Sequence, residues 1–204
     1  MSKAASPTRD RSGTERAIVE AAKTVLVEHG FSAFGVNAIA RAAGCDKQLI
    51  YRYFGGLDGL IERLGREMSA EFGDLLAPPD PETCRSYADF IEHMLLQLLS
   101  AFRRSDLLLR IAAWEIADPS PVTRQLAQVR GAALASWVKQ RRGSIAVPED
   151  RDVGALNAAL IAAVQQLALA SQSVGEFGGV RLESDADWAR IEAVISTLVR
   201  ASYD

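Results

Sequence analysis

Apolar side chains recur every three or four residues along most of the chain. That is the period of an amphipathic helix, and no alternating stretch is long enough to read as a strand. In the first such segment Ile18, Ala22, Val25, Leu26 and His29 share one face. Ser12-Gly13-Thr14-Glu15 ahead of it has the form of a capping box, so the first helix is expected to start at Ser12. Gly30, which tolerates the left-handed conformation, is expected to stop it. A short second helix is expected over Val36–Ala43, ended by Gly44, and a third over Lys47–Phe54, capped by Asp46 and broken by Gly55-Gly56. A fourth carries Leu60, Ile61, Leu64, Met68, Phe72, Leu75 and Leu76 on one side. Ala77-Pro78-Pro79-Asp80-Pro81 marks a boundary. Beyond it lie a long helix with Tyr87, Phe90, Ile91, Met94, Leu95, Leu98 and Phe102, then Ser105–Ala117, Val122–Arg142, a helix from Pro148 to about Val174, and, after a Gly-rich loop, a last one near Asp185–Ser202. The pattern predicts an all-α protein of nine or ten helices without repeats.

The segment Val36–Phe54 carries the most chemistry. Two short helices cross around a glycine turn. Ala40 lets them approach, and Ile39, Ala43, Ile50 and Tyr53 or Phe54 can close a small core. The second helix is left presenting Lys47, Gln48, Leu49, Tyr51 and Arg52, donors and flat faces of the kind that reach phosphates and base edges. Its N-terminus adds free amides and the positive end of the helix dipole. This is the pattern of a helix-turn-helix, whose second helix lies in the major groove of double-stranded DNA. Charge is distributed accordingly. The first sixty residues hold eight Lys/Arg against six acids, while the whole 204-residue chain has a net charge of −3, so a mildly basic head precedes an acidic body.

Gly30-Phe31, Ile39-Ala40-Arg41-Ala42-Ala43-Gly44, Leu49-Ile50-Tyr51-Arg52-Tyr53-Phe54 and Leu57-Asp58-Gly59-Leu60, at this spacing, resemble the DNA-binding head of the tetracycline-repressor (TetR) family. The resemblance is specific over about residues 12–64 and beyond that only architectural, in helix number and length. It implies a homodimer, ligand-controlled repression and a dimer interface built from the last two long helices. It also adds Gly35, Asn37 and Tyr53 to the expected DNA contacts Lys47, Gln48, Leu49, Tyr51 and Arg52. Two positions depart from the family pattern. Gly35 stands where a Ser or Thr often caps the second helix and touches a phosphate, and Leu57 stands where a Lys often lies beside one. Affinity should then rest more on Lys47, Tyr51 and Arg52, with an N-terminal arm helping. The expected organisation is a disordered arm over 1–11, a three-helix DNA-binding domain over 12–56, and a helical ligand-binding and dimerisation domain over 57–204.

In that second domain Met94, Leu98, Phe102, Trp114, Gln165, Gln166 and Leu169 are candidates to line a cavity for a mostly apolar effector, since aromatics with a few amides suit a small-molecule pocket. The same residue types also make an ordinary helical core. The dimer surface is expected from Asp152–Ser173 and Trp188–Tyr203, with Leu156, Ala159, Leu160, Ala163 and Leu167 on one helix and Ile191, Val194, Ile195, Leu198 and Val199 on the other. Nothing in the sequence suggests a metal, cofactor or catalytic centre. His29 and His93 stand far apart, and Cys45 and Cys84 are at no metal or redox spacing. Gly55-Gly56 lacks the strand and the Lys-Ser/Thr of a phosphate loop. No apolar stretch is expected to reach the ~18 residues of a membrane span, and no secretory h-region is evident, so the expected location is the cytoplasm. The competing reading is a helical small-molecule-binding or structural dimer without ligand-controlled DNA binding.

Overall fold

A computed structural model describes residues 7–76, 78–80 and 82–203, with side chains from residue 11 onward except that of Leu75. Among the described residues there are nine α-helices and one two-stranded hairpin. The chain divides into two compact units, Met1–Glu71 with Ala113–Leu134, and Phe72–Ala112 with Ala135–Asp204.

In the first unit α1 spans Pro7–His29, α2 Val36–Ala42 and α3 Lys47–Phe54, and most of α4, Leu57–Leu75, follows. Ile18, Leu26, Ile39, Ile50, Leu60 and Leu64 are each fully buried. The apolar faces read from the sequence therefore meet in one small core. Lys23 is also buried and joins α1 to α4, donating to Glu71 at 2.6 Å and Glu20 at 2.9 Å. The segment from 113 to 134 adds the end of α6 (Asp106–Ala117) and the start of α7 (Pro121–Arg142). Trp114 covers Gly30, where a Cβ would stand 2.8 Å from the indole. Gly65 of α4 similarly admits Val129, 2.7 Å from where its Cβ would be.

In the second unit α5 (Tyr87–Arg104) packs against both α8 (Val153–Ser173) and α9 (Asp185–Tyr203). Phe90, Leu95, Leu99, Leu109, Val164, Ala168, Trp188, Ile195 and Val199 form its core. Asn157 ties the three helices together, donating to the Tyr87 hydroxyl at 3.0 Å and accepting from the Tyr203 hydroxyl at 2.8 Å.

Several boundaries differ from expectation for local reasons. Helix α1 begins at Pro7, so Ser12 lies inside it rather than capping it; proline is well suited to a first helical turn because its missing N–H has no intrahelical partner there anyway. Of the arm expected over 1–11, residues 7–11 are helical and 1–6 lie outside the described residues. A 3₁₀ turn, Phe31–Ala33, follows Gly30. Helix α8 starts at Val153 and not at Pro148, because the Asp152 carboxylate accepts from the Ala155 amide at 3.0 Å and caps it. The Gly-rich loop is a hairpin, β1 Glu176–Phe177 with β2 Val180–Arg181, turned by Gly178 and Gly179 at φ 59° and 79°, both positive as a two-residue hairpin turn of this kind requires. Strands of two residues are too short to show a period of two.

The expectation about apolar stretches also needs correcting. Helix α8 is long and apolar enough to cross a membrane by length and composition, with a mean hydropathy of 1.7 over eighteen residues. Asn157, Gln165 and Gln166 interrupt it but do not offset so many Ala, Leu and Val side chains. Only 22% of that window is buried within the chain.

Candidate nucleic-acid interface

Helices α2 and α3 are joined by a turn whose hydrogen bonds close it tightly. The Gly44 amide donates to Arg41 O at 3.2 Å and the Cys45 amide to Ala40 O at 3.0 Å. This pairing satisfies the last carbonyls of α2 and needs a left-handed residue, which Gly44 supplies at φ 62°. Asp46 then opens α3, its carboxylate accepting from the Gln48 amide at 2.8 Å. Gly55 closes α3 at φ 77°. Gly59, in the first turn of α4, lies so close to the end of α3 that a Cβ would stand 1.8 Å from Phe54 O. The orientation of α3 is thus set at both ends by backbone geometry and beneath by fully buried Ile50.

Of the expected DNA contacts, Lys47, Gln48, Tyr51, Arg52 and Asn37 are exposed, Tyr51 at 57%. Leu49, Tyr53 and Gly35 are half-buried. Gly35 caps α2 in extended geometry with no side-chain bond, as its lack of a hydroxyl dictates. Leu49 faces a shallow cleft of about 450 Å³ that it shares with Gly13, Thr14 and Ala17 of α1 and with Ala43, Gly44 and Cys45 of the turn. Two arginines lie near Tyr53: the Arg52 guanidinium is 5.8 Å from its ring centre, and that of Arg11 is 5.3 Å from it. Burial and the adjacent Asp46 push the Cys45 thiol up, away from a reactive thiolate.

The candidate effector residues fall in both compact units. Phe102 is core, Met94, Leu98 and Leu169 pack on that core, Gln165 is half-buried and Gln166 is exposed. Trp114 belongs to the other compact unit, where side-chain-free Gly30 gives its flat ring a place to lie. A cleft of about 230 Å³ in the second unit is lined by other residues, Asp80, Thr83, Cys84, Asp89, Glu92, His93, Leu96 and Arg200. Its acidic groups and Arg200 give it a polar character the apolar-effector expectation lacked. Among the described residues no three His, Cys, Asp or Glu side chains are placed to hold a metal ion.

The expected dimer residues sort by burial. Ile195 and Val199 lie in the chain's own core, which corrects their assignment to a partner surface. Leu156, Leu160, Leu167 and Ile191 are half-buried against that core. Leu198 is 47% exposed, Val194 54% and Ile161 40%. Around them Ala155, Ala158, Ala159, Ala162 and Ala163 of α8 and Ala189, Ala193 and Ala201 of α9 are exposed. Most large residues are drawn inward, leaving the alanines outside with Ile161, Val194 and Leu198.

A family profile for bacterial regulatory proteins, tetR family, matches residues 18–64, which run from α1 through the turn and α3 into α4. This segment of the chain is thus similar to the DNA-binding part of the tetR family. An uncharacterized HTH-type transcriptional regulator from Mycobacterium tuberculosis is 26% identical over 118 residues, 54% of this chain and 52% of that one. An HTH-type transcriptional repressor from Streptomyces coelicolor is 29% identical over 107 residues, 52% of each chain. The chain thus spans about half the length of the curated relatives it matches. A TetR family transcription regulator from Marinobacter aquaeolei superimposes with a TM-score of 0.59 at 20% identity, covering 95% of this chain and 97% of the other. The regulator FadR of Bacillus subtilis, in complex with stearoyl-CoA, does so with a TM-score of 0.58 at 14% identity, covering 90% and 96%. At these identities the likeness is one of fold.

Proposed function

We propose that this chain is a DNA-binding transcriptional regulator of the TetR family that acts as a homodimer in the cytoplasm and represses until a small molecule releases it from a near-palindromic operator. The observation that carries the reading is the short, doubly anchored α3, which buries Ile50 and turns Lys47, Gln48, Tyr51 and Arg52 to solvent. A helix held this rigidly by backbone turns presents its side chains in a fixed register, which base-edge recognition needs. Residues 12–56 are read as the DNA-binding head and 57–204 as the part serving the partner copy and the effector.

One recognition helix reads only a few base pairs, so a second head is needed, and the exposed alanine-rich faces of α8 and α9 offer the surface for a second copy. The effector is read as a mostly apolar molecule. It lowers operator affinity only as far as it binds the DNA-free state better, and operator DNA must weaken it by the same factor. The chain's work is binding rather than catalysis.

Fluorescence anisotropy with duplexes enriched from a random library tests the central point. The wild-type chain should bind, and Lys47→Ala, Arg52→Ala together should lower affinity at least about a hundredfold with unchanged helical circular dichroism, since each charge-assisted contact is worth about 1.5–3 kcal/mol. Undiminished binding by the double variant would remove α3 from the interface. Failure of the wild-type chain to bind any duplex would favour a structural dimer.

A further inference from the structure

We propose that the hairpin between α8 and α9 is an arm of the dimer, which docks Phe177 against the loop that enters α8 in a second copy of this chain. This rests on the reading of α8 and α9 as the surface for a second copy, and adds to it the direction in which the two copies meet. The hairpin is built to hold its shape. Its strands pair Glu176 with Arg181 and Phe177 with Val180, and at its base the Leu182 amide donates to Gly175 O at 2.9 Å. Cross-strand partners share a face, and side chains alternate along a strand. One face therefore carries Phe177, Val180 and Leu182, and the other Glu176 and Arg181. Leu182 is buried in the core of the second unit, Val180 is half-buried and Phe177 is 47% exposed. The apolar face thus starts on the chain's own core and runs out past its edge.

Exposed apolar side chains are concentrated around it. Among the described residues eight large ones are exposed, and six of these, Val147, Ile161, Val174, Phe177, Val194 and Leu198, lie on α8, on α9, in the segment that joins them or in the loop before α8. Phe177 is the one aromatic of the six. A stable interface buries about 800 Å² per partner, is poor in alanine and is anchored by aromatic side chains. The alanine faces of α8 and α9 allow close approach but supply no such anchor. Phe177, at the end of both, supplies one.

Charge sets the direction. Helices α8 and α9 run antiparallel: Asn157 near the start of α8 bonds Tyr203 at the end of α9, and the hairpin joins their other ends. At the hairpin end Glu176, Glu183, Asp185 and Asp187 outnumber Arg181, and Arg103, 3.4 Å from Asp185, offsets only one of them. At the opposite end Lys139, Arg141, Arg142 and Arg151 outnumber Glu149, Asp150 and Asp152. Two of those acids are already engaged, Asp150 by Arg151 and Asp152 by the Ala155 amide. Two copies laid side by side in the same direction would bring acidic end to acidic end. Laid antiparallel, each hairpin meets a cationic loop, and Phe177 meets the partner's Val147, which is exposed there. Rim charges of this kind choose between arrangements more than they add affinity. Two-fold symmetry makes the contact twice.

Sedimentation of the whole chain at low salt, with circular dichroism to check folding, gives the dimer dissociation constants that test this. Phe177→Ser should weaken the dimer at least about tenfold, through loss of a buried aromatic. Ile116→Ser, at a side chain 67% exposed but in the first unit, should leave it unchanged. Lys139→Glu with Arg141→Glu, and separately Glu176→Lys with Glu183→Lys, should each weaken self-association about tenfold. An equimolar mixture of these two variants should regain the wild-type value, because each hairpin again meets the opposite charge. A wild-type dimer that Phe177→Ser leaves intact would overturn the hairpin contact alone, as would an equal loss in Ile116→Ser. A dimer weakened by Phe177→Ser yet indifferent to reversal of the cationic end would overturn the docking on that loop. Binding of wild type to phosphatidylcholine vesicles, abolished by Phe177→Ser with the dimer intact, would assign the tip to lipid and overturn the proposal. A monomeric wild type would remove the reading of α8 and α9 as a partner surface, and this inference with it.

Discussion

The exposed faces of α3 and α8 are opposite in chemistry. The outer face of α3 carries Lys47, Gln48, Tyr51 and Arg52, while α8 has no charged residue between Val153 and Ser173 and shows solvent mainly Ala with Ile161. Burial fractions alone would make the two look alike. The difference lies in which partner can improve on water. A cationic face gains from a polyanion through counterion release, a long-range effect that salt weakens. An alanine face gains only by close approach to another apolar surface, a short-range effect that salt barely touches. One face suits a partner met repeatedly and left; the other suits a lasting one.

The largest expected effect comes from putting charge where the fold has none. Ala159→Glu on the exposed side of α8 should weaken self-association at least about a hundredfold, because two-fold symmetry brings like charges together and their burial costs several kcal/mol. Sedimentation at micromolar concentration would then give the 22.0 kDa chain in place of twice that mass. A wild-type mass of 22.0 kDa under the same conditions would break the comparison outright, and partition of the wild type into lipid vesicles would assign the α8 face to a bilayer. Raising salt from about 50 to 200 mM should release DNA while leaving the dimer mass unchanged.

A smaller effect probes the rigidity of the α3 face. Gly44 has open space where a Cβ would go but sits at φ 62°, so Gly44→Ala isolates the backbone cost. It should lower stability by about 1–2 kcal/mol, read as a drop in melting temperature, with a proportionally larger loss of DNA affinity if the turn sets the register of α3.

The smallest is a pH effect confined to the second unit. Desolvation pushes the Asp89 carboxyl up, but the Ser86 amide, Arg200 and the Ser86 hydroxyl together outweigh it and hold the group well below the usual carboxylate range. A lowered folded value means that Asp89 stabilises fully above about pH 4, its unfolded range, and that this contribution is lost as pH falls through the folded value. The melting temperature of wild type should fall more steeply between about pH 5 and 3 than that of Asp89→Asn. Parallel curves would show that the reciprocal bonds of Ser86 and Asp89, which cap the start of α5, are not acid-sensitive.

What could be read from the sequence follows the range of the interactions. The helix-turn-helix was legible because its signals are local: Gly44, Asp46 and Gly55 each act within a few residues, and the structure places α3 at Lys47–Phe54, as the sequence predicts. Arg11 falls outside the helix that the sequence predicts, because Ser12 has the form of a helix start, although the Arg11–Glu15 spacing of four already hints at helix. The dimer residues are legible as a pattern but not individually. Ile195 and Ala193 are both compatible with an apolar helix, and only the position of α5 decides which of them turns inward. Trp114 was out of reach, since its partner Gly30 is more than eighty residues away and offers no side chain to signal the contact.

The first compact unit is discontinuous in sequence, and synthesis is directional. Residues up to Glu71 leave the ribosome well before Trp114 can cover Gly30 or Val129 can reach Gly65. The intervening segment of roughly forty residues takes about 2–8 s to make at ~5–20 residues per second. During that interval the end of α1 and one side of α4 stand bare, and the nascent chain shows chaperones an apolar surface that the finished protein lacks. A chain ending before Ala113 would make that passing state permanent.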